Sequence, residues 1–408
     1  MTSVKELKAR LRTWPAVAAI NAAIKAQAME RDALRTRRRY EDEARRRSFT
    51  LVPANSLRDA LRRRLGSRPN RLGWPKKRGE LHIFLAYALY NWEAVLPKAL
   101  SAFGRVTSFE WRSQGFDDRA PDWLLRRDQM NQALLQAYRA ATARCPVDIV
   151  VGYVSGATVA PEVLAVMADD GAIVTNFCFD DKVYWPGERL GGRYTSPAAI
   201  AHAVDLNLTS DPDGIIRYAA HGGIAMFHPE AADPEVHRPV DVDFEYDVSF
   251  IGARYGWRPN FIKSLARRGV HVKCFGKGWP DNSVSNDDMR EIYARSRINL
   301  GFGGIGHSRN LVCLKGRDFE VPMCGALYLT QHNPELALVF EIGSEIVTYR
   351  DESECAKVIL ELLADPERAA AVRHAARARC LGDHTYFTRW LHVMRTLGAL
   401  AQEEESDG

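Results

Sequence analysis

Short runs of almost unbroken apolar residues recur along this chain, separated by longer stretches with helical spacing. "LHIFLA" (81–86), "RVTSFEW" (105–111), "VDIVVGY" (147–153), "GAIVTNF" (171–177), "DLNLTS" (205–210) and "GIAMFH" (223–228) form a first series of strand type. Helical sequence such as "PDWLLRRDQMNQALLQAYRAATAR" (121–144) lies between most of them. Strands alternating with helices predict parallel βαβ units, and strands apolar along their whole length predict a sheet covered on both faces. "HPEAADPEVHRPVDVDFEYD" (228–247) has no periodicity and many prolines and acids, which predicts a linker. The alternation then restarts with "DVSFIG" (247–252), "VHVKCFG" (270–276), "RINLGF" (297–302), "ALYLT" (326–330) and "EIVTY" (345–349). Helical sequence follows from Glu352 to about Leu400, with a break expected near Gly382. Two α/β units in tandem are expected to bind ligands at the C-terminal ends of their strands.

Before Leu81 the pattern differs. Val4, Leu7, Leu11 and Trp14 recur at helical spacing, and Val17, Ile20 and Ile24 continue it past Pro15. Arginine runs follow at 35–39, 44–48 and 61–68. Charge sharpens the contrast. Residues 1–80 hold 22 Lys and Arg against 8 Asp and Glu, while the whole chain of 408 residues is only +5. A basic arm is therefore joined to a net acidic body. Such an arm is a solvated helical face packed on the body or a second copy, or a surface for anionic lipid headgroups. Nucleic acid ranks last because aromatics hardly interleave with the arginines.

Composition narrows the class further. Hydrophobic content of 46% and charged content of 26% describe a soluble globular protein. No run approaches a membrane span, and the N-terminus lacks a secretory apolar block. The seven cysteines are scattered without C-x-x-C spacing, which predicts free thiols in the cytoplasm and no zinc site.

Two stretches carry candidate chemistry. "GFGGIG" (301–306) matches G-x-G-x-x-G, with Glu320 about twenty residues on. The fingerprint belongs to the first strand-helix turn of a unit, yet two strands of this unit have already passed. The reading kept is a turn in which Gly303 and Gly304 let backbone approach a ligand, against a plain loop of equal weight. "LKGRDFEVPMCG" (314–325) predicts a short helix closed by Gly325, with Pro322 in its first turn or kinking it. Its N-terminus with Lys315 and Arg317 suits a pyrophosphate, and Glu320 one turn later suits ribose hydroxyls. An internal ion pair between Arg317 and Glu320, three residues apart, fits the spacing equally well.

Beyond the spacing there is a likeness. "YDVSFIGARYGWRPNFIKSL", "INLGF", "KGRDFEVPMCGALYLT", "PELALVFEIGSEIVTYRD" and "HTYFTRW" cover most of Tyr246 to Trp390 in order. They resemble the group-1 type glycosyltransferase domain, specifically its spore-maturation CgeB-like branch. The resemblance implies an α/β GT-B fold of two facing Rossmann-like domains with parallel sheets, and a reaction without a metal or a cofactor other than the donor. The implied divisions are a basic helical extension at 1–80, an acceptor domain at 81–232, a nucleotide-sugar domain at 233–382, and a final helix crossing back plus tail at 383–408. It places Glu320 on the ribose and Lys315 and Arg317 on the diphosphate. Arg254 and Arg258, after the first strand of that domain, are further candidates for the same duty. Many retaining relatives carry an acid eight positions before the ribose glutamate; here that position is Val312.

The remaining candidates are weaker. Asp180 and Asp181 end a strand of the first domain, where one can orient an acceptor hydroxyl or act as general base. A helix N-cap followed by an exposed acid is the alternative, and a metal site lacks a third ligand. His307 and Arg309 in "GHSRN" are candidates for phosphate or sugar. Tyr90, Asn91 and Trp92 follow the first strand, where an aromatic can stack on a sugar or simply pack. The expected activity is a cytoplasmic glycosyltransferase of hexosyltransferase type, with a nucleoside diphosphate sugar as donor and a glycan, protein or lipid hydroxyl as acceptor. The alternatives are an inactive nucleotide-sugar-binding scaffold and a nucleotide-sugar epimerase.

Overall fold

The computed structural model describes residues 15–47, 51–66, 74–90, 92–190, 192–280 and 284–401. The apolar positions Val4, Leu7, Leu11 and Trp14 of the arm, and Asn91, lie outside the described residues. The chain divides into two units. One comprises Arg37–Pro229 with Tyr386–Gly408, the other Met1–Thr36 with Glu230–Thr385. The arm at 1–80 is thus shared between the units, with the division inside the long helix Pro15–Arg47.

The Arg37–Pro229 unit is built on a six-stranded sheet in the order β2-β1-β3-β4-β7-β8. Its strands are β1 (Leu81–Tyr87), β2 (Gly104–Glu110), β3 (Ile149–Gly152), β4 (Ile173–Cys178), β7 (Leu206–Thr209) and β8 (Ala225–Phe227). All its pairings are parallel. Between β4 and β7, β5 (Arg189–Leu190) and β6 (Arg193–Tyr194) form a separate antiparallel pair. Every residue of β1, β3 and β7 is buried, as the continuous apolar runs require of strands covered on both faces. Phe84, Val150 and Val174 pack there against Met130, Leu134 and Tyr138 of the helix Trp123–Arg144. The closing helix Tyr386–Leu397 also belongs here, with Trp390 edge-on to Phe177 at 5.8 Å.

The other unit carries a five-stranded parallel sheet in the order β10-β9-β11-β12-β13. These strands are β9 (Tyr246–Ile251), β10 (Lys273–Phe275), β11 (Ser296–Leu300), β12 (Tyr328–Gln331) and β13 (Val347–Tyr349). Phe250, Ile298, Leu300 and Leu329 meet Phe261 and Leu265 of the helix Arg258–Ala266 in its core. Each sheet coincides with one series of strand runs in the sequence. The break expected near Gly382 falls at His384–Thr385, and the terminal helices have a further break at Asp365. They span Glu352–Ala364, Pro366–Asp383 and Tyr386–Leu397, with Gly382 in the last turn of the second. The signals at the additional break are Asp365, whose carboxylate accepts the Arg368 N–H at 2.9 Å, and Pro366 in the first turn.

The arm is partly docked. Tyr40 is 2% exposed; its hydroxyl accepts the Trp185 indole N–H at 2.9 Å and lies 2.8 Å from His221 Nε2. Arg64 reaches Asp205 at 3.2 Å and the carbonyls of His202, Val204 and Gly222. These contacts within the Arg37–Pro229 unit give part of the arginine-rich sequence a structural role. Tyr40→Phe removes the acceptor of a buried indole N–H. It is expected to cost about 1–3 kcal/mol in urea unfolding, whereas unchanged stability would contradict this docking.

Candidate functional site

In the five-stranded sheet, strand order reverses direction between β9 and β11, so their C-terminal ends form the switch point where open α/β sheets bind ligands. The segments leaving these two ends are 252–258 and 301–312. The first of them turns at Gly256, whose φ of +60° suits glycine, and delivers Arg258 to the start of a helix. Arg258 is 5% exposed. It donates to the Ala253 carbonyl at 3.2 Å, and its guanidinium carbon lies 4.3 Å from the Tyr255 ring centroid. Burial, offset in part by Tyr255 and reinforced by the neighbouring Arg317, holds Arg258 below the ordinary arginine value. Among the described residues it forms no ion pair.

The second cation comes from the Arg317–Met323 helix. Lys315 and Asp318 exchange bonds across its first turn, Lys315 N–H to the Asp318 carboxyl at 2.8 Å and Asp318 N–H to the Lys315 carbonyl at 2.9 Å. The Gly316 carbonyl accepts from both Phe319 and Glu320. With these N–H groups engaged, positive charge for a ligand comes from the side chains and not from the helix terminus expected from the sequence. The Arg317 guanidinium makes no hydrogen bond or ion pair among the described residues. Burial pulls it down, but Tyr328, Tyr293, Glu320 and Asp318 outweigh that and hold it above the ordinary arginine value. Burial lowers Lys315 as well, and Cys313 and Glu230 more than reverse the effect; its Nζ lies 2.9 Å from Cys313 Sγ. Burial raises Asp318 to about 7, so near neutrality it only partly offsets these cations.

Glu320 is half-buried, and its carboxylate has no hydrogen-bond partner among the described residues. The internal Arg317–Glu320 ion pair that the spacing permitted is not formed. Both Glu320 and Glu230 lie against Gly316, where a Cβ would stand 2.8 Å from Glu320 Oε1 and 3.0 Å from Glu230 Oε2. Arg258, Lys315, Arg317 and Glu320 therefore belong to one charged cluster. Glu230, which also bears on Lys315, was invisible in the sequence because it lies in the proline-rich linker.

The glycine-rich segment folds back on itself. Gly304 bridges Val312 in antiparallel fashion, Ile305 N–H donates to the Leu311 carbonyl at 2.9 Å, and Cys313 N–H to the Gly303 carbonyl at 3.2 Å. A Cβ on Gly304 would stand 2.5 Å from the Ser308 carbonyl, whereas Gly303 has only ordinary contacts at 3.7 Å. No helix begins on this turn, which removes the dinucleotide fingerprint. His307 sits edge-on to Tyr255 at 6.2 Å, and its buried Nδ1 has no partner. Two expectations need correction. Arg309 is bound by Glu352 at 2.9 and 3.2 Å and stands over Trp257, so its charge is already matched. Arg254 is exposed and lies 5.5 Å over Trp279, in a groove with Ile262 and Val272 beside edge strand β10.

In the six-stranded unit the adjacent aspartates separate. Asp180 is exposed. Asp181 is fully buried, and its Oδ2 accepts from Thr209 at 2.6 Å and Tyr218 at 2.7 Å. Burial, offset by Arg217 and these hydroxyls, lifts Asp181 to about 6. An acceptor cannot reach a side chain with no exposed surface, so Asp181 is a structural group and not the base that the sequence allowed. The guanidinium carbons of Arg112 and Arg119 lie 3.7 and 4.3 Å from the Tyr90 ring centroid, so the ring expected to stack on a sugar already carries cation contacts. Among the described residues no three His, Cys, Asp or Glu side chains gather as a metal-binding group.

Comparison with known proteins agrees with this architecture. Residues 258–395 match the model of a family described as glycosyl transferase-like. Solved structures with the same fold include sucrose-phosphate synthase from Thermosynechococcus elongatus. It is 12% identical with a TM-score of 0.52, covering 78% of this chain and 98% of that one. A glycosyltransferase from Rickettsia africae is 9% identical with a TM-score of 0.53 and the same coverages. An alpha-glucosyltransferase in complex with UDP and a 13-mer DNA containing a HMU base is 12% identical with a TM-score of 0.50. It covers 78% of this chain and 100% of that one. Among curated proteins none matches the chain. The chain has a GT-B fold, and residues 258–395 are similar to a glycosyl transferase-like domain.

The buried Asp181 gives a pH signature. Its folded-state value of about 6 lies above the ordinary 3.8, so the folded chain keeps a proton that the unfolded chain releases across that window. The contribution of this group to stability is greatest below pH 4 and falls as pH rises to 6, by on the order of 3 kcal/mol. Asp181→Asn is expected to flatten stability between pH 4 and 6 in denaturant titrations; a wild-type slope would contradict the assignment.

Proposed function

We propose that this chain is a glycosyltransferase of hexosyltransferase type that moves a sugar from a nucleoside diphosphate sugar to a hydroxyl of a glycan, protein or lipid. The observation that carries the reading is the Arg258–Arg317 pair. Arg317 bears on Arg258 and helps to lower it, and neither guanidinium has a carboxylate within ion-pair distance among the described residues. Buried charge without a counter-ion is costly, and a diphosphate is an anion with the charge and the oxygen geometry to match two guanidinium forks. Glu320, with both oxygens open, accepts the two ribose hydroxyls of the same donor. His307 adds a ring nitrogen at the glycine-rich turn.

The chemical step requires the carbon–oxygen bond between sugar and diphosphate to break while the acceptor oxygen bonds to the same carbon. Charge accumulates on the departing diphosphate. Arg258, Arg317 and Lys315 stabilise it most where it is largest, and this needs no resident metal. Asp180, exposed at the C-terminal end of β4, is the carboxylate retained for the acceptor hydroxyl, either orienting it or receiving its proton. The position eight residues before Glu320 is Val312, so contacts to the donor sugar come from other groups.

Placement of the enzyme in the cytoplasm, at an anionic membrane face, completes the reading. The outward side of the Pro15–Arg47 helix carries Ile20, Ile24 and Leu34, 60, 59 and 56% exposed, with exposed Arg31 and Arg35 among them. Apolar anchors among arginines suit acyl chains beneath anionic headgroups, and no aromatic on this stripe offers stacking to a nucleic acid. The full chain is expected to sediment with anionic phospholipid vesicles and not with neutral ones; indifference to lipid charge would remove this placement.

The function itself is tested by titration with a panel of nucleoside diphosphate sugars while free diphosphate is followed. Slow release from one donor supports transfer. Binding without turnover in cell extract points to a nucleotide-sugar scaffold, and interconversion of sugars to an epimerase. Arg317→Gln sharpens the test because it removes an unmatched cation. The variant is expected to remain folded without ligand, yet to gain far less stability from a nucleoside diphosphate than the wild type gains. The loss of ligand interaction is about 3–4 kcal/mol if the charge serves the leaving group. Glu320→Ala is expected to weaken donor binding without unfolding, and equal donor affinity would remove the ribose role.

A further inference from the structure

The sequence treats the basic arm as separate from the chemistry, but its side chains reach the loop that leaves β11. Within the Pro15–Arg47 helix, Met29 and Glu30 are half-buried while Lys25, Ala28, Arg31 and Asp32 are exposed. Met29 sits over Gly306. This glycine has φ +56°, and a Cβ on it would stand 3.0 Å from Met29 Cε and 3.2 Å from Sδ. The thioether therefore fills space that only glycine leaves open.

Glu30 makes the polar half of the contact. Its Oε1 accepts from Ser308 Oγ at 2.5 Å and from Asn310 Nδ2 at 3.2 Å. Ser308 has no exposed surface. Its hydroxyl oxygen already accepts the Asn310 and Leu311 N–H groups at 3.1 and 2.9 Å. A hydroxyl has one proton, and Glu30 fixes where that proton points, leaving the lone pairs for the two amides. From Ser308 the contacts run straight to the anion cluster. Its carbonyl accepts the Trp257 indole N–H at 3.4 Å, and Trp257 immediately precedes Arg258. His307, next in the chain, lies edge-on to Tyr255, whose ring supports the Arg258 guanidinium.

We propose that Glu30 is a positioning residue of the donor site: the N-terminal helix clamps loop 301–312 through Met29–Gly306 and Glu30–Ser308–Asn310, and so sets Arg258 and His307. The proposal rests on the reading of the Arg258–Arg317 cluster as a diphosphate site. It makes the helix a component of the nucleotide-binding unit in addition to any surface it offers outside. Placement matters because a cation displaced by about 1 Å from a leaving group forfeits much of its effect. A carboxylate is well suited as the clamp, since charge-assisted bonds are stronger than neutral ones. Both bonds nevertheless end on a single oxygen, which a glutamine amide oxygen can replace.

The test uses the full-length chain with Glu30→Ala and Glu30→Gln. Hydrogen exchange of residues 303–312 reports the clamp, and calorimetric binding of inorganic pyrophosphate reports the site. Glu30→Ala is expected to speed exchange in the loop and weaken pyrophosphate binding roughly tenfold or more. Glu30→Gln is expected to restore both close to wild type. Unchanged exchange in Glu30→Ala overturns the clamp. Faster exchange with unchanged pyrophosphate affinity overturns the positioning role, leaving a purely structural brace. A Glu30→Gln variant with a protected loop but weak binding overturns it too, because binding would then depend on something other than the position of the loop. Failure of the wild-type chain to bind pyrophosphate strikes the donor-site reading itself, and the positioning claim with it. That outcome is seen before any variant is made.

Discussion

Arg258 is 5% exposed and shares its surroundings with Arg317, and neither guanidinium meets a carboxylate within ion-pair distance among the described residues. Holding two like charges in partly desolvated positions opposes folding unless something outside the chain neutralises them. The surrounding groups show how the cost is limited. Aromatic faces from Tyr255, Phe250 and Phe302 lie against Arg258, and the nearby carboxyl of Asp318 is itself pushed toward neutrality by burial. Lowering the local charge with a full ion pair would have been simpler. Arg309, a few residues away in sequence from Lys315, is handled in that way by Glu352. The contrast between matched and unmatched arginines separates the structural from the functional candidates more sharply than proximity does.

The sheet explains why the unmatched cations fall where they do. Five parallel strands in the order β10-β9-β11-β12-β13 put the only reversal of direction in that sheet between β9 and β11. The helices that follow these strands leave on opposite faces, so the segments after them part and open a crevice. Arg258 comes from the segment after β9, and the glycine-rich turn from the segment after β11. Lys315, Arg317 and Glu320 arrive one step later, on the helix that leads into β12. The glycines serve this arrangement by close packing. Gly304 fits under the Ser308 carbonyl and Gly306 under Met29, and neither closeness requires a ligand.

The N-terminal arm shows how one charged segment divides its labour. Tyr40 and Arg64 are absorbed into the core and the backbone carbonyls of one unit. Met29 and Glu30 engage the glycine-rich loop of the other. What is left over is an outward stripe of isoleucine, leucine and arginine. A single composition-based label for residues 1–80 merges three different physical roles, because net charge reports on solvation and long-range attraction and carries no information about which side chains turn inward.

The sequence by itself determined the architecture. Apolar runs at 81–86 and 247–252, and those that follow each, mark the strands because a sheet covered on both faces demands apolar residues at consecutive positions. It also marked the crowded charges at 315–320, since such residues beside buried strands are unusual. Only tertiary structure decided what each charge does. Asp180 and Asp181 are neighbours in sequence, yet one is exposed and the other is locked beneath Thr209 and Tyr218. Arg317 and Glu320 have helical spacing for an ion pair and do not form one, while Arg309 finds its partner at Glu352, forty-three residues on. Glu30 joins Ser308 across 278 positions. Local pattern fixes which faces are apolar through the period of helix and strand. The pairing of charges depends on side-chain direction and on chain segments brought together by the fold, and neither is written in the spacing.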